Sequence, residues 1–244
     1  MNMLKFATAA PGGDVRQATF NERNQKTPEV STEDVRRILA DGSAMLLDSR
    51  KRTEYAAGHI AGARSATPPP GASVEEFIAA VDGLVGGDKA KPIVVYCNGE
   101  HCKQGRRLAE QLAEAGFRDV RRYQLGIPVW RALGGPVEID LDGIARVYQI
   151  DRTAIFFDAR NPEEFASGSI AGAHNVPADT IGGDGLAKAP LPRNDFNTRV
   201  ILFGRDGAQA RKLADAVGQT PFQNVSYFPG TFEVLAAAVR EKQT

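Results

Sequence analysis

An 18-residue segment, LLDSRKRTEYAAGHIAGA from Leu46 to Ala63, returns as FFDARNPEEFASGSIAGA from Phe156 to Ala173. The offset is 110 residues, held without a gap from Asp48 and Asp158 through Gly62 and Gly172. Downstream, the first copy reads IVVYCNGEHCKQGRRLAEQL and the second reads VILFGRDGAQARKLADAV. Such a repeat restricts the chain to two copies of one fold. A length of 244 residues suits two compact domains of about 110 residues. Both cysteines, Cys97 and Cys102, fall in one loop of one copy. That asymmetry points to one reactive site and one silent partner.

The order of elements argues for an α/β chain. Residues 1–28 are polar and read as a mobile arm, or as one that wraps over the body. Ser31-Thr32-Glu33-Asp34 opens a helix, with a hydroxyl cap and acids in the first turn. Asp41-Gly42-Ser43 is a turn, and Ala44 to Leu47 is a buried strand ending at Asp48. Thr53 to Ala57 is a short helix, and Gly58-His59-Ile60 starts an edge segment. Pro68-Pro69-Pro70-Gly71 breaks the chain. Val74 to Leu84 has helical periodicity. Ile93-Val94-Val95-Tyr96 is a continuous apolar run of the kind that forms a buried parallel strand. A helix is expected from Arg106 to Ala115, with Gly116 as its C-cap. Val120 to Tyr123 is another short strand. Leu125 to Trp130 leads into a last short helix, and Gly134-Gly135-Pro136 marks a boundary. Strands Ala154–Phe157, Val200–Phe203 and Val225–Phe228, with a helix over Ala208–Val217, repeat the order. Alternating strands and helices predict parallel sheets. The domains are 29–137 and 138–244.

Composition excludes several classes of partner. Thirty basic and thirty acidic residues balance, so no global charge favours nucleic acid or an anionic membrane. The expected partners therefore include neither, and any attraction for an anion is local. No apolar run approaches the roughly 18 residues of a membrane span. The start, MNMLKFATAAPGG, has an apolar stretch too short for a complete export signal. The compartment stays open between cytoplasm and periplasm, as for a soluble protein of bacterial type. Two cysteines are no disulfide framework for this length.

Cys97 ends a buried strand, and a helix follows within ten residues. Ligands in open α/β sheets bind outside the carboxyl ends of strands. A strand–loop–helix turn also aims N–H groups and the positive end of a helix at whatever sits there. A thiol in such a place is favoured as thiolate, the nucleophilic form. Lys103, Arg106 and Arg107 crowd the start of the helix, where the macrodipole disfavours cations. Their presence suggests an anion they answer to, against the plainer reading of a solvated basic face.

These motifs together resemble the tandem rhodanese (sulfurtransferase) family over about residues 30–240. Asp48-Ser49-Arg50, Glu54-Tyr55 and Gly58 through Ala63 are similar to the family's first signature. Ile93 to Cys97 resembles its active-site strand, and Gly126 and Trp130 its closing motif. Asp158, Arg160, Glu164, Phe165, Gly168, Ile170 and Gly172 through Pro177 repeat the first signature. The resemblance implies two rhodanese-like α/β domains, each a mainly parallel sheet flanked by helices. It also implies a sulfane-sulfur shuttle. A loop cysteine takes sulfur from a small anionic donor such as thiosulfate or 3-mercaptopyruvate. It becomes a persulfide and passes the sulfur to cyanide or a thiol acceptor, a protein thiol included. No cofactor or metal is implied.

The loop departs from the family's usual six-residue form, being about two residues longer. Cys97 holds the strand-end position. Cys102-Lys103-Gln104-Gly105-Arg106-Arg107 fits the C-x-x-G-x-R spelling instead. The loop resembles a subgroup with a Tyr-Cys-x-Gly-x-x-Cys sequence. Cys97 is favoured as carrier by position. Cys102 is its rival, or a resolving thiol able to form a disulfide with it. Asn98, Gly99, Glu100, His101, Lys103, Gln104, Gly105, Arg106 and Arg107 are the candidate substrate-binding residues. Either cysteine also has a plain reading, as a small buried hydrophobe.

Three rivals use the same residues. A phosphatase or arsenate reductase of related fold needs arginine six positions after its cysteine. Cys97 has Lys103 there and Cys102 has Leu108, and neither supplies the planar fork. A metal site on Cys97, His101 and Cys102 lacks the second ligand pair of a structural zinc site. A non-enzymatic persulfide carrier or dithiol redox or docking protein would use both cysteines without turnover. Asp48 and Arg50 recur as Asp158 and Arg160 where no thiol exists, so they read as a buried structural ion pair. Trp130 reads as core, and His59 as structural. Gly204 stands where Cys97 would, followed by Arg205 and Asp206, and no sulfur transfer is expected there.

Overall fold

The computed structural model describes residues 26–67, 71–182 and 185–240. The arm up to residue 25 and the break at Pro68-Pro69-Pro70 lie outside the described residues.

The first half forms a four-stranded sheet in the order β3-β1-β4-β5, all parallel. The strands are β1 (Met45–Asp48), β3 (Arg64–Ser65), β4 (Ile93–Tyr96) and β5 (Val120–Tyr123). Helices α1 (Thr32–Asp41) and α5 (Gly126–Ala132) cover one face, and α3 (Val74–Val85) and α4 (Lys103–Glu114) the other. The alternation of strand side chains explains the split. Leu46, Val94 and Tyr96 point to the first face, where Val35, Ile38, Ile127 and Trp130 meet them. Leu47, Ile93 and Val95 point to the second, against Phe77, Val81, Leu108 and Leu112. Both faces are apolar because helices cover both. Each buried side chain of this size contributes about 1.5–3 kcal/mol.

Local signals set the helix ends. Ser31 caps α1 and forms a capping box with Asp34, and Gly42 closes the helix in a left-handed conformation. Ser73 and Glu76 do the same at the start of α3. Helix α4 begins at Lys103, three residues before the expected Arg106. The glycine at 105 does not delay the helix, because Cys102 already serves as its N-cap residue. Leu125 to Trp130 does not merely lead into a helix but lies largely within α5, beginning at Gly126.

The second half builds a six-stranded sheet that β2 (His59–Ile60) of the first half joins, in the order β2-β6-β10-β9-β7-β8. Its strands include β6 (Val137–Glu138), β7 (Ala154–Asp158), β8 (His174–Asn175), β9 (Arg199–Phe203) and β10 (Val225–Tyr227). Its helices are α6 (Leu141–Arg146), α7 (Pro162–Ala166), α8 (Gly185–Lys188), α9 (Gly207–Gly218) and α10 (Phe232–Arg240), with a π-helical turn at Val147–Asp151. Among the described residues, the counterpart of α3 is the four-residue α8.

Two features were not visible in the sequence pattern. The segment read as an edge, β2 (His59–Ile60), pairs with the other half's sheet, antiparallel to β6. The end of the supposed arm is fixed, not mobile: Thr27 is buried, and the Arg122 N–H donates to Pro28 O (2.7 Å). Glu29 bridges Arg122 of β5, as Glu138 of β6 pairs Tyr227 of β10. The seam between halves gathers around β2. His59 stacks on Tyr55 of α2 (Arg52–Ala56), its Nδ1 lies 3.0 Å from Tyr55 O, and its Nε2 lies 3.3 Å from Glu138. The Tyr227 hydroxyl donates to the other Glu138 oxygen (2.8 Å). His59 is thus structural, as read from the sequence. Among the described residues, no helix is long and apolar enough to cross a membrane.

Candidate active site

The site grows from the end of β4, the inner strand between β1 and β5. Tyr96, the last strand residue, is buried; its hydroxyl donates to Asp48 Oδ2 (2.6 Å) and accepts from the Ile60 N–H (3.1 Å). Burial, then the Asp48 charge, pushes the Tyr96 phenol well above its usual pKa. Asp48 also receives the Arg50 side chain, with Nε at 3.0 Å, and Arg50 donates to Gly58 O (2.7 Å). Burial alone would lower the Arg50 pKa, but the hydrogen bond and charge of Asp48 hold it raised. The pair is therefore a buried, hydrogen-bonded brace at the strand ends. The second half repeats it: Arg160 bonds Asp158 (Nε at 3.0 Å) and Gly168 O (2.8 Å). Phe203 has no hydroxyl there, and Ser169 Oγ donates to Asp158 instead (2.7 Å).

Cys97 follows Tyr96 directly and is 6% exposed. It is joined by a disulfide to the half-buried Cys102, with Cα atoms 6.2 Å apart. The two cysteines are thus partners of one another, with Cys97 packed in the core. Three contacts hold Cys97. Its carbonyl accepts from the Ile127 N–H (3.2 Å). Gly105 packs so closely that a Cβ there would sit 3.1 Å from Cys97 Cβ and 3.4 Å from Ser49 Oγ. Gly126 has φ +62°, and a Cβ there would run into the Cys97 carbonyl oxygen. That position needs glycine both for its conformation and for the close approach.

The loop is pinned at several points. The Cys102 N–H donates to Gly99 O (2.9 Å), and Gly99 adopts φ +110°. Gln124 Nε2 donates to Glu100 O (2.7 Å), Asn98 Nδ2 to Glu54 Oε1 (2.8 Å), and Gln104 Nε2 to Ser49 O (3.0 Å). Among the described residues, the N–H groups of Asn98, Gly99, Glu100 and His101 have no protein acceptor. Cys102 caps α4 without a side-chain hydrogen bond, and no acid lies in that first turn. The loop and helix start thus present backbone N–H donors at the positive end of a helix.

The predicted site residues divide. Lys103, Gln104 and Arg107 border a hollow of about 460 Å³ between α4 and the start of α3, floored by Phe77 and Leu108. Arg106 is half-buried in the first turn. Glu100 and His101 are exposed at the loop tip, and Asn98 is turned to Glu54. Gly105 serves close packing on Cys97. A larger cavity of about 760 Å³ lies at the other end of β1, beside Arg36, Met45, Arg64 and Arg211. Neither lining includes a cysteine; the smaller hollow is the one bordered by Lys103, the residue that follows Cys102. Sequence reasoning gave no site role to Glu54, Ser49 or Gln124. Glu54 and Ser49 lay inside the first signature, whereas Gln124 carried no local signal.

The corresponding loop of the second half is filled by its own side chains. Asp206 caps α9, accepting from the Gln209 N–H (2.8 Å). Gln209 Oε1 accepts from the Arg205 N–H (2.8 Å), and Arg205 forms a two-pronged pair with Glu164 (2.9 Å each).

A family model for the rhodanese-like domain matches residues 31–133 and again 146–238. The chain belongs to the rhodanese-like family. Its two rhodanese-like units are α/β, each with a mainly parallel sheet flanked by helices. The chain is similar to the thiosulfate sulfurtransferase GlpE of Pseudomonas paraeruginosa, with 33% identity over 97 residues, 40% of this chain and 78% of that protein. It is also similar to the HTH-type transcriptional regulator Rv0324 of Mycobacterium tuberculosis, with 30% identity over 125 residues, 51% of this chain and 51% of that one. The chain thus spans about half the length of that regulator. Among solved structures, the rhodanese-like domain of the Anabaena sp. Alr3790 protein has 26% identity and a TM-score of 0.40, covering 47% of this chain and 81% of that one.

Proposed function

We propose that this rhodanese-like chain is a sulfurtransferase that carries sulfane sulfur as a persulfide on Cys97. The donor is a small anion, thiosulfate or 3-mercaptopyruvate, and the acceptor is a thiol or cyanide. One observation carries the reading: a cysteine at the end of an inner strand opens a loop in which, among the described residues, the N–H groups of Asn98 to His101 have no protein acceptor. Such donors stabilise a persulfide anion and the charge that develops during transfer. Lys103 and Arg107, with Arg106 beside them, draw the donor into the hollow. The thiolate attacks the outer sulfur of the donor, and sulfite or pyruvate departs. Thiolate, donor and acceptor suffice, with no cofactor.

The loop Tyr96-Cys97-Asn98-Gly99-Glu100-His101-Cys102 supports assigning the chain to the subgroup with a Tyr-Cys-x-Gly-x-x-Cys active loop. The first domain, 29–137, is the reactive one. The second, 138–244, is silent, because its loop carries its own acceptors and no thiol. A second reading, a dithiol redox or docking protein, draws on the Cys97–Cys102 disulfide. Steady-state turnover separates the two. Reduced protein should form thiocyanate from thiosulfate and cyanide catalytically, and Cys97→Ser should abolish it. Reversible disulfide formation without turnover on either donor would favour the redox reading.

A further inference from the structure

We infer that Cys102 is a resolving thiol, which makes the chain a donor-dependent sulfide-releasing enzyme that runs on a dithiol reductant. The inference rests on the reading of Cys97 as persulfide carrier. In the first step the Cys97 thiolate bonds to the sulfane sulfur of thiosulfate, and sulfite leaves with the electron pair. In the second, the Cys102 thiolate attacks Cys97 Sγ. The bond from Cys97 to the outer sulfur breaks, and that sulfur leaves with the electron pair as hydrosulfide. The two cysteine sulfurs are thereby oxidised to a disulfide, and the sulfane sulfur is reduced to sulfide. A dithiol reductant then restores both thiols and becomes a disulfide itself.

The structure holds the state that the second step produces, Cys97 bonded to Cys102. Three further observations support the assignment. The loop is fixed where the two thiols meet, by the Cys102 N–H to Gly99 O bond (2.9 Å) and the Ile127 N–H to Cys97 O bond (3.2 Å). An intramolecular attack from so close competes well with an external acceptor. Cys102 is the N-cap residue of a 12-residue helix with Lys103 and Arg106 in its first turns, a setting that favours a thiolate. Access is also unequal: in the bonded state Cys97 is 6% exposed, whereas Cys102 is half-buried. An incoming dithiol therefore meets Cys102, and Cys97 is the sulfur expelled, ready for the next donor.

The test is a single turnover of reduced, reductant-free protein with thiosulfate, followed by sulfide assay and intact mass. Wild type should release about one sulfide per chain and lose two hydrogens. Cys102→Ser should retain one added sulfur and release sulfide about 100-fold more slowly. Dithiothreitol should sustain continuous release by wild type, with mercaptoethanol far less effective. A wild-type persulfide that outlasts the reaction as long as that of Cys102→Ser overturns the inference and leaves the sulfurtransferase reading intact. Failure of both proteins to take up sulfur from thiosulfate and from mercaptopyruvate defeats that reading, and the inference with it.

Discussion

Arg50 and Arg160 show how a residue can look catalytic and serve the fold. Arg50 lies near the expected reactive position and Arg160 at the matching place in the other half, and each is paired with a buried aspartate and a glycine carbonyl. Recurrence in the copy without a thiol made that role legible in the sequence. The third partner was not legible, because a tyrosine at 96 and a serine at 169 supply the same hydroxyl from different chain positions. Removing one member of a buried pair leaves the other charge uncompensated. Arg50→Ala should therefore lower the unfolding free energy by about 3–5 kcal/mol, read as a shifted urea midpoint. A loss below about 1 kcal/mol, typical of an exposed pair, would contradict the brace. The cysteines were equally legible by position, but their bond was left open, since spacing alone does not bring two sulfurs together.

At the scale of elements, long apolar runs such as Ile93–Tyr96 were readable, and their strands appear where expected. Short elements were not. Strand β2 has two residues, and its partner β6 lies far along the chain in the other sheet, so no local period marks the pairing. Glu138 fixes that junction. Burial would raise its carboxyl pKa, but the hydrogen bonds from His59, Tyr227 and the Gly62 N–H hold it below the ordinary 4.5. A carboxylate with a depressed folded pKa stabilises the fold fully above its unfolded pKa. That contribution is lost as pH falls through the folded value. Acid should therefore weaken the seam below about pH 4.5. Glu138→Gln should be less stable near neutrality and show a flatter decline over that acid range. Parallel pH–stability curves for the two proteins would refute this linkage.

The whole molecule is one fold used twice, once with an open loop and once with a closed one. The duplication was plain from the repeated segment, whereas the lending of β2 to the second sheet was not. The closed loop is more than a lost cysteine. A Cβ at Gly204 would sit 2.9 Å from Gln209 Oε1 and 3.2 Å from the Ala210 nitrogen, so Gly204→Cys alone should not create a second sulfur site. Placed in a Cys97→Ser background, it should gain no sulfur from thiosulfate by intact mass. Recovery of uptake would show that only the thiol was missing.

The reactive loop itself is tested most directly by intact mass of the reduced protein after thiosulfate and, separately, after mercaptopyruvate. Cys97→Ser and Cys102→Ser run alongside. One added sulfur, held stably by Cys102→Ser and never acquired by Cys97→Ser, is the predicted result. Uptake by Cys97→Ser, or by no form of the protein, would contradict the placement of the persulfide on Cys97.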